Sequence, residues 1–131
     1  MKKYTIYTDG AYSPTDEKGG IGFVILDENE EIVYMDSKQY VRTTNQRMEL
    51  LAAIMALSSL VDKSDIELIS DSAYLVKTMT DGWKRRANVD LWELMDEQDQ
   101  RHEIRYTHVR GHQGNKYNEI ADDLAVEARL K

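Results

Sequence analysis

The chain predicts an α/β fold, a mixed sheet covered by helices, and three observations carry that prediction. Its first third holds three strand patterns joined by short turns, and the remainder alternates helix and strand. Five strand patterns occur in all, so the sheet is expected to be antiparallel among the first three strands and parallel later. A single Pro, no low-complexity stretch and no repeat leave no linker, so one domain over residues 1–131 is expected. A chain of that length buries about two-thirds of its unfolded surface.

The elements follow in order. Lys3–Thr8 alternates polar and apolar residues and stops at Asp9-Gly10, which reads as a strand ending in a turn. Gly20–Leu26 and Glu31–Tyr40 are two further strands, and Asp27-Glu28-Asn29-Glu30 between them is a polar hairpin turn with Asn29 as its left-handed residue. Thr44 or Asn45 caps a helix running to about Val61. Ile66–Ser70 is a short apolar strand, and Asp71-Ser72 opens a helix reaching about Thr80. Asp90–Gln98 is a short helix, Glu103–His108 the last strand and Asn118–Leu130 a closing helix.

Composition limits the function. Lys and Arg number 17 against 24 Asp and Glu, a formal net charge of −7. That balance argues against indiscriminate nucleic-acid binding, which rests on phosphate neutralisation by cationic side chains. It leaves room for a nucleic-acid enzyme, because bound cations reverse the local sign of an acidic cluster. The absence of Cys excludes disulfides and thiolate metal sites and fits a reducing compartment. Met1-Lys2-Lys3-Tyr4-Thr5 lacks the apolar stretch of a secretory signal, and the apolar run Leu50–Leu57 falls far short of a membrane span. A cytoplasmic protein with no membrane partner is expected.

Several residues sit awkwardly in a purely structural reading. Glu49 is the one charged residue between Met48 and Val61, in a helix apolar nearly all round. A buried carboxylate there costs several kcal/mol unless it is paired or binds a metal; a first-turn Glu favoured by the helix dipole is the competing reading. Asp9 and Asp71 each end an apolar strand and precede a small residue. Singly they read as a turn residue and an N-cap. Together, on adjacent strands, they would put two carboxylates at the carboxyl edge of the sheet, where α/β proteins bind ligands. Oxygen ligands without thiols select Mg²⁺, Mn²⁺ or Ca²⁺. Farther on, Gly111 and Gly114 surround His112 in a loop that could swing an imidazole toward such a site. In the closing helix Asp122 and Asp123 flank the apolar stripe almost symmetrically, and periodicity does not choose between them.

With these residues in view, the chain resembles ribonuclease H of type 1, nearly end to end. The resemblance is carried by Tyr7-Thr8-Asp9-Gly10-Ala11, Thr43-Thr44-Asn45-Gln46-Arg47-Met48-Glu49-Leu50, Ser70-Asp71-Ser72, Asn88-Val89-Asp90-Leu91-Trp92, and Val109-Arg110-Gly111-His112 through Asn118-Glu119-Ile120-Ala121-Asp122. It implies a ribonuclease H-like fold with a five-stranded mixed sheet, and endonucleolytic hydrolysis of the RNA strand of an RNA–DNA hybrid. The ends left are 5′-phosphate and 3′-hydroxyl. The family's metal-binding carboxylates map onto Asp9, Glu49, Asp71 and Asp122, so the resemblance selects Asp122 over Asp123. Four carboxylates suit two Mg²⁺ ions, with Mn²⁺ as an alternative, about 3.5–4 Å apart. His112 matches a loop histidine that shuttles a proton and helps product leave.

The resemblance also implies the substrate contacts. The backbone around Gly10 and the side chains of Asn45 and Gln46 would reach the hybrid's minor groove, where the 2′-hydroxyl separates RNA from DNA. Arg42, Thr44 and Asn88 match a pocket for a phosphate of the DNA strand. Such contacts read shape, so little sequence specificity is expected. A monomer is expected.

The chain departs from the family at Gln46, where many relatives have Asn, at Ala73, where a polar residue is common, and in the segment ahead of Asn88. Many members carry a basic, Trp-containing protrusion before Asn-Val-Asp-Leu-Trp; here only Asp81-Gly82-Trp83-Lys84-Arg85-Arg86-Ala87 stands in its place. A solvated helix end is the plain reading of Lys84-Arg85-Arg86, and a hold on the DNA strand the functional one. Two other functions compete with the nuclease. One is a catalytically weak hybrid-binding module that depends on a partner; the other is a different nuclease of the same fold.

Overall fold

A computed structural model describes residues 1–111 and 115–131. Strands β1 (Lys3–Ser13), β2 (Lys18–Leu26) and β3 (Ile32–Val41) form an antiparallel meander. Helix α1 (Asn45–Ser58) then crosses over to β4 (Asp65–Ser70), which pairs parallel with β1. Helices α2 (Ala73–Asp81) and α3 (Val89–Arg101) lead to β5 (Glu103–His108), parallel to β4, and α4 (Lys116–Arg129) closes the chain. The sheet order is β3-β2-β1-β4-β5, the five-stranded mixed sheet that the strand pattern predicts.

Alternation along the strands divides the core between the two faces of the sheet. Ile6, Phe23, Ile25, Ile66 and Leu68 pack with Leu50, Ala53 and Leu57 of α1, Leu75 of α2, and Leu91, Trp92 and Met95 of α3. On the opposite face Tyr7, Val24, Leu26 and Ile69 pack with Ala121 of α4. Helix α1 buries Met48 through Leu50, Ala52 through Ile54, Ala56 and Leu57, as its nearly continuous apolar sequence requires.

Element boundaries differ from expectation where a side chain or a partner strand overrides the local signal. Asp9-Gly10 does not end β1: Asp9 pairs opposite Gly22 and Gly10 opposite Ile21, and the strand continues to Ser13. What ends at Thr8 is the pairing with β4 alone. In the β2–β3 turn the left-handed residue is Glu30 (φ 61°), not Asn29. Asp27 Oδ1 accepts the Asn29 and Glu31 amides at 2.8 and 3.1 Å, which fixes the start of the turn and moves the reversal to its last residue. Helix α1 stops at Ser58, short of Val61, where the Ser58 and Ser59 hydroxyls donate back to the Met55 and Ala56 carbonyls. Helix α4 starts at Lys116 because Asn115 Oδ1 accepts the Tyr117 and Asn118 amides. Helix α3 runs on to Arg101, past Gln98.

Candidate functional site

Strand pairing brings the two aspartates together. Thr8 of β1 lies opposite Ser70 of β4, so Asp9 and Asp71 follow side by side at the carboxyl end of that pairing. Asp71 is free to face the site because Ser72, not Asp71, caps α2: the Ser72 hydroxyl accepts the Leu75 amide at 3.1 Å. Glu49 comes from the first turns of α1, whose N-cap is Thr44, accepting the Arg47 amide at 3.2 Å. Gly10 admits it. A Cβ on Gly10 would lie 2.7 Å from the Glu49 backbone nitrogen and 2.8 Å from Glu49 Oε1, so only glycine lets α1 come this close to β1.

The outcome is a carboxylate triad. Asp9, Glu49 and Asp71 each place one oxygen within 4.8 Å of the others'. Asp9 and Glu49 are buried, at 4% and 7% exposure. Burial pushes the Asp9 carboxyl far above the usual carboxylate range, and the charges of Glu49 and Asp71 push it further. Burial likewise raises Glu49, with the Asp71 charge adding to it. Asp122, on α4, lines the same cleft, and its proximity pushes Asp9 up further. Asp9 Oδ1 accepts the Gly10 amide at 2.9 Å.

These groups fit a divalent cation on their own chemistry. The cleft is lined by Asp9, Gly10, Asn45, Gln46, Glu49, Asp71, Ser72, Ala73, Tyr74 and Asp122, and no cationic side chain is among them. Glu49 Oε1 is buried and has no hydrogen-bond partner among the described residues. A buried, uncompensated carboxylate oxygen beside two others is a costly arrangement that a hard cation relieves.

The remaining predicted residues divide. Asn45 and Gln46 line the acidic cleft from the first turn of α1, and Gly10 lines it from β1. Arg42, Thr44 and Asn88 lie outside that lining. Arg42 is exposed with a left-handed backbone (φ 54°), its amide bonded to the Glu17 carbonyl. Asn88, also left-handed (φ 60°), has its side chain held from both ends: Oδ1 accepts Arg47 Nη1 at 3.2 Å, and Nδ2 donates to the Tyr74 hydroxyl at 3.1 Å. His112 lies outside the described residues. His108, read as a histidine without a catalytic part, is exposed, with Nε2 3.1 Å from the Asp71 carbonyl.

Sequence reasoning missed a polar frame behind the site. The Arg47 guanidinium engages Asp90 with two parallel bonds, 3.0 and 2.8 Å, tying α1 to the start of α3. Arg47 holds the Asp90 carboxyl down at about 2. Tyr74, which borders the acidic cleft, accepts Trp92 Nε1 at 3.1 Å as well as the Asn88 amide. Arg47 and Asp90 both fall inside motifs that carry the resemblance, yet nothing in the spacing of residues so far apart announces a pair. The basic run also differs from expectation. It lies in the irregular link between α2 and α3 rather than at a helix end, and Arg85 is consumed by Asp96 at 2.5 Å and by the Trp92 ring at 4.8 Å. Lys84 and Arg86 form no ion pair among the described residues, and Trp83 is half exposed.

A mixed five-stranded sheet with a carboxylate cluster where β1 and β4 part company defines an α/β protein built around an acidic centre. Comparison with known proteins identifies the class. The RNase H family profile matches residues 1–129. The ribonuclease H of Trichodesmium erythraeum is 40% identical over 141 residues, covering 97% of this chain and 88% of that protein. Among solved structures, LC9-RNase H1, a type 1 RNase H with the type 2 active-site motif, is similar with a TM-score of 0.85 and 27% identity, over 99% of this chain and 73% of that one. LC11-RNase H1, solved in complex with RNA/DNA hybrid, is similar with a TM-score of 0.83 and 26% identity, over 97% of this chain and 96% of that one. The chain belongs to the ribonuclease H family. Among the described residues no helix is long and apolar enough to cross a membrane.

Proposed function

We propose that residues 1–131 act as one ribonuclease H domain that hydrolyses the RNA strand of RNA–DNA hybrids, leaving 5′-phosphate and 3′-hydroxyl ends. The observation that carries this reading is the buried Asp9–Glu49–Asp71 cluster, with an orphaned Glu49 oxygen and no cation in its lining. The family to which the chain belongs and the hybrid bound to LC11-RNase H1 support the substrate.

Asp9, Glu49, Asp71 and Asp122 would hold two divalent ions, Mg²⁺ or Mn²⁺. When bound, such ions supply charge neutralisation at the phosphate and acidify the attacking water. The protein does the positioning. Asp9 and Asp71 are fixed by strand register, and Glu49 by the α1 cap and the contact over Gly10. Asn45 and Gln46, exposed on the cleft rim, present amides that can donate to and accept from a 2′-hydroxyl in the minor groove. Arg42, Thr44 and Asn88 would hold a phosphate of the DNA strand, with Arg47 and Tyr74 fixing Asn88 for the task. His112 would carry a proton toward the leaving oxygen and favour product departure. None of these groups reads base edges, so cleavage should show little sequence preference.

The test is a strand-labelled RNA–DNA hybrid, presented beside duplex RNA, duplex DNA and single-stranded RNA, with Mg²⁺, Mn²⁺ or chelator. Cation-dependent cutting confined to the hybrid's RNA strand is expected. Binding of the hybrid without cutting under either cation would instead favour a binding module that works with a partner.

A further inference from the structure

Helix α4 sits with its backbone close against β2, and two glycines permit it. A Cβ on Gly22 would meet the Ala121 carbonyl oxygen at 2.4 Å, Ala125 N at 2.7 Å and Leu124 Cβ at 2.8 Å. A Cβ on Gly20 would meet the Ala125 carbonyl oxygen at 2.1 Å and Arg129 N at 2.7 Å. These obstacles are mostly helix backbone, which cannot rotate aside as the end of a long side chain can. The helix answers with small residues of its own: Ala121, Ala125 and Ala128 are all buried. Both sides of this interface are therefore stripped to near-minimal bulk.

The position of Gly22 is what matters. It stands directly opposite Asp9 in the β1–β2 ladder, and its nearest obstacle belongs to Ala121, the residue preceding Asp122. Register and helix depth together bring Asp122 over Asp9. Gly10 does the corresponding work on the other face, where it admits α1 and Glu49. Gly20 acts one turn farther along α4, against Ala125 and Arg129, away from the acidic cleft.

We propose that Gly22 is a positioning residue of the metal centre: by letting α4 seat at backbone contact opposite Asp9, it sets the depth at which Asp122 enters the cation site. This rests on the proposed role of Asp122 as a ligand. A packing role alone would make any added methyl under α4 equivalent. A positioning role makes the site of the methyl decisive.

The experiment compares Gly22→Ala with Gly20→Ala, each alone and combined with Asp122→Asn. Mn²⁺ affinity is measured by calorimetry and by cation-induced thermal shift, and thermal stability is measured without cation. Gly22→Ala should weaken Mn²⁺ binding by about tenfold or more, the scale of lost support around a metal ligand. Gly20→Ala should lower thermal stability comparably and change Mn²⁺ affinity by less than about threefold. In the Asp122→Asn background Gly22→Ala should weaken Mn²⁺ binding no further, because the ligand it positions is gone. Equal losses of affinity in the two glycine variants, or a full additional loss on top of Asp122→Asn, would overturn the proposal. Ala121→Val, which adds bulk under α4 at the residue whose carbonyl faces Gly22, carries the same predictions if Gly22→Ala does not fold. A wild-type protein that bound no Mn²⁺ would refute the metal-centre reading itself, and that result precedes any comparison of variants.

Discussion

Asp9 and Asp71 are each the first residue beyond the last parallel pair of β1 and β4, Thr8 opposite Ser70. One register therefore fixes the separation of two carboxylates, and a third, Glu49, is added by a helix that can approach because Gly10 has no side chain. The cost of this arrangement is electrostatic. Four acidic groups, two of them buried, share a cleft whose lining holds no cation, and four physical consequences of the structure can be measured.

The first concerns stability without metal. Folding raises the Asp9 and Glu49 pKa values, chiefly through burial. The folded state thus binds protons more tightly than the unfolded one, and cation-free stability is lost as pH rises above the ordinary carboxylate range. Asp9→Asn removes the group whose ionisation the cation-free fold opposes most. It should stabilise the cation-free protein near neutral pH by about 1–2 kcal/mol, more at pH 8 than at pH 5. Denaturant titrations at both pH values measure this, and a variant less stable than wild type at pH 8 would count against it. Mg²⁺ should raise the melting temperature of the wild type more than that of the variant.

The second concerns the Arg47–Asp90 pair. Folding holds the Asp90 pKa at about 2, with the Arg47 hydrogen bonds the main cause. Its contribution is complete above the unfolded carboxylate range and is lost as pH falls toward 2. Asp90→Asn should be less stable than wild type at neutral pH, and the two should converge on acidification. Because Arg47 also holds Asn88, the variant should bind hybrid more weakly at neutral pH. Stability curves that stayed parallel down to acid would contradict the assignment.

The third concerns His102, which is buried with Nδ1 accepting the Ser64 amide at 3.1 Å and Nε2 3.2 Å from the Leu57 carbonyl. That pairing demands a neutral ring with the proton on Nε2. Burial lowers the folded pKa, so the unfolded chain takes up protons first. Stability should be full above about 6.5 and decline as pH falls below it. His102→Ala should cost about 2–3 kcal/mol by leaving two buried backbone groups unpaired and a void. It should also flatten the pH dependence between about 5 and 7, a readout that amide exchange at Ser64 sharpens.

The fourth concerns the shortened basic segment. Arg85 is neutralised by Asp96, and Lys84 and Arg86 form no ion pair among the described residues. If both touch phosphate, Lys84→Ala/Arg86→Ala should weaken hybrid binding and reduce the slope of log K against log salt by about 1–2. The matching change at Arg85 should act mainly on stability, through Asp96 and Trp92. Identical salt slopes for the double variant and wild type would show that the segment does not reach the nucleic acid.

Much of this was legible in the sequence because period and motif carry it. Alternation and helical spacing gave all five strands and four helices, and the motif segments singled out Asp9, Glu49 and Asp71, which the fold gathers. What escaped depends on partners remote in the chain. Asp9-Gly10 carries a turn signal that pairing with β2 overrides. Asp71 and Ser72 are equally good caps by residue type, and only the Ser72–Leu75 bond assigns the task. Glu30 takes the left-handed position because Asp27 has already satisfied the amides before it. His102 has no motif around it, since both its partners are backbone groups from other elements.

The central claim is that these carboxylates serve chemistry rather than folding, and Asp71→Asn tests it most directly. Hybrid binding and single-turnover cleavage in Mg²⁺ would be measured on the same preparations of variant and wild type. The account predicts that the variant still binds hybrid within a few-fold of wild type while cleavage falls by about a thousandfold or more. A variant that cuts within tenfold of wild type, or one that loses binding and cleavage in step, would contradict it.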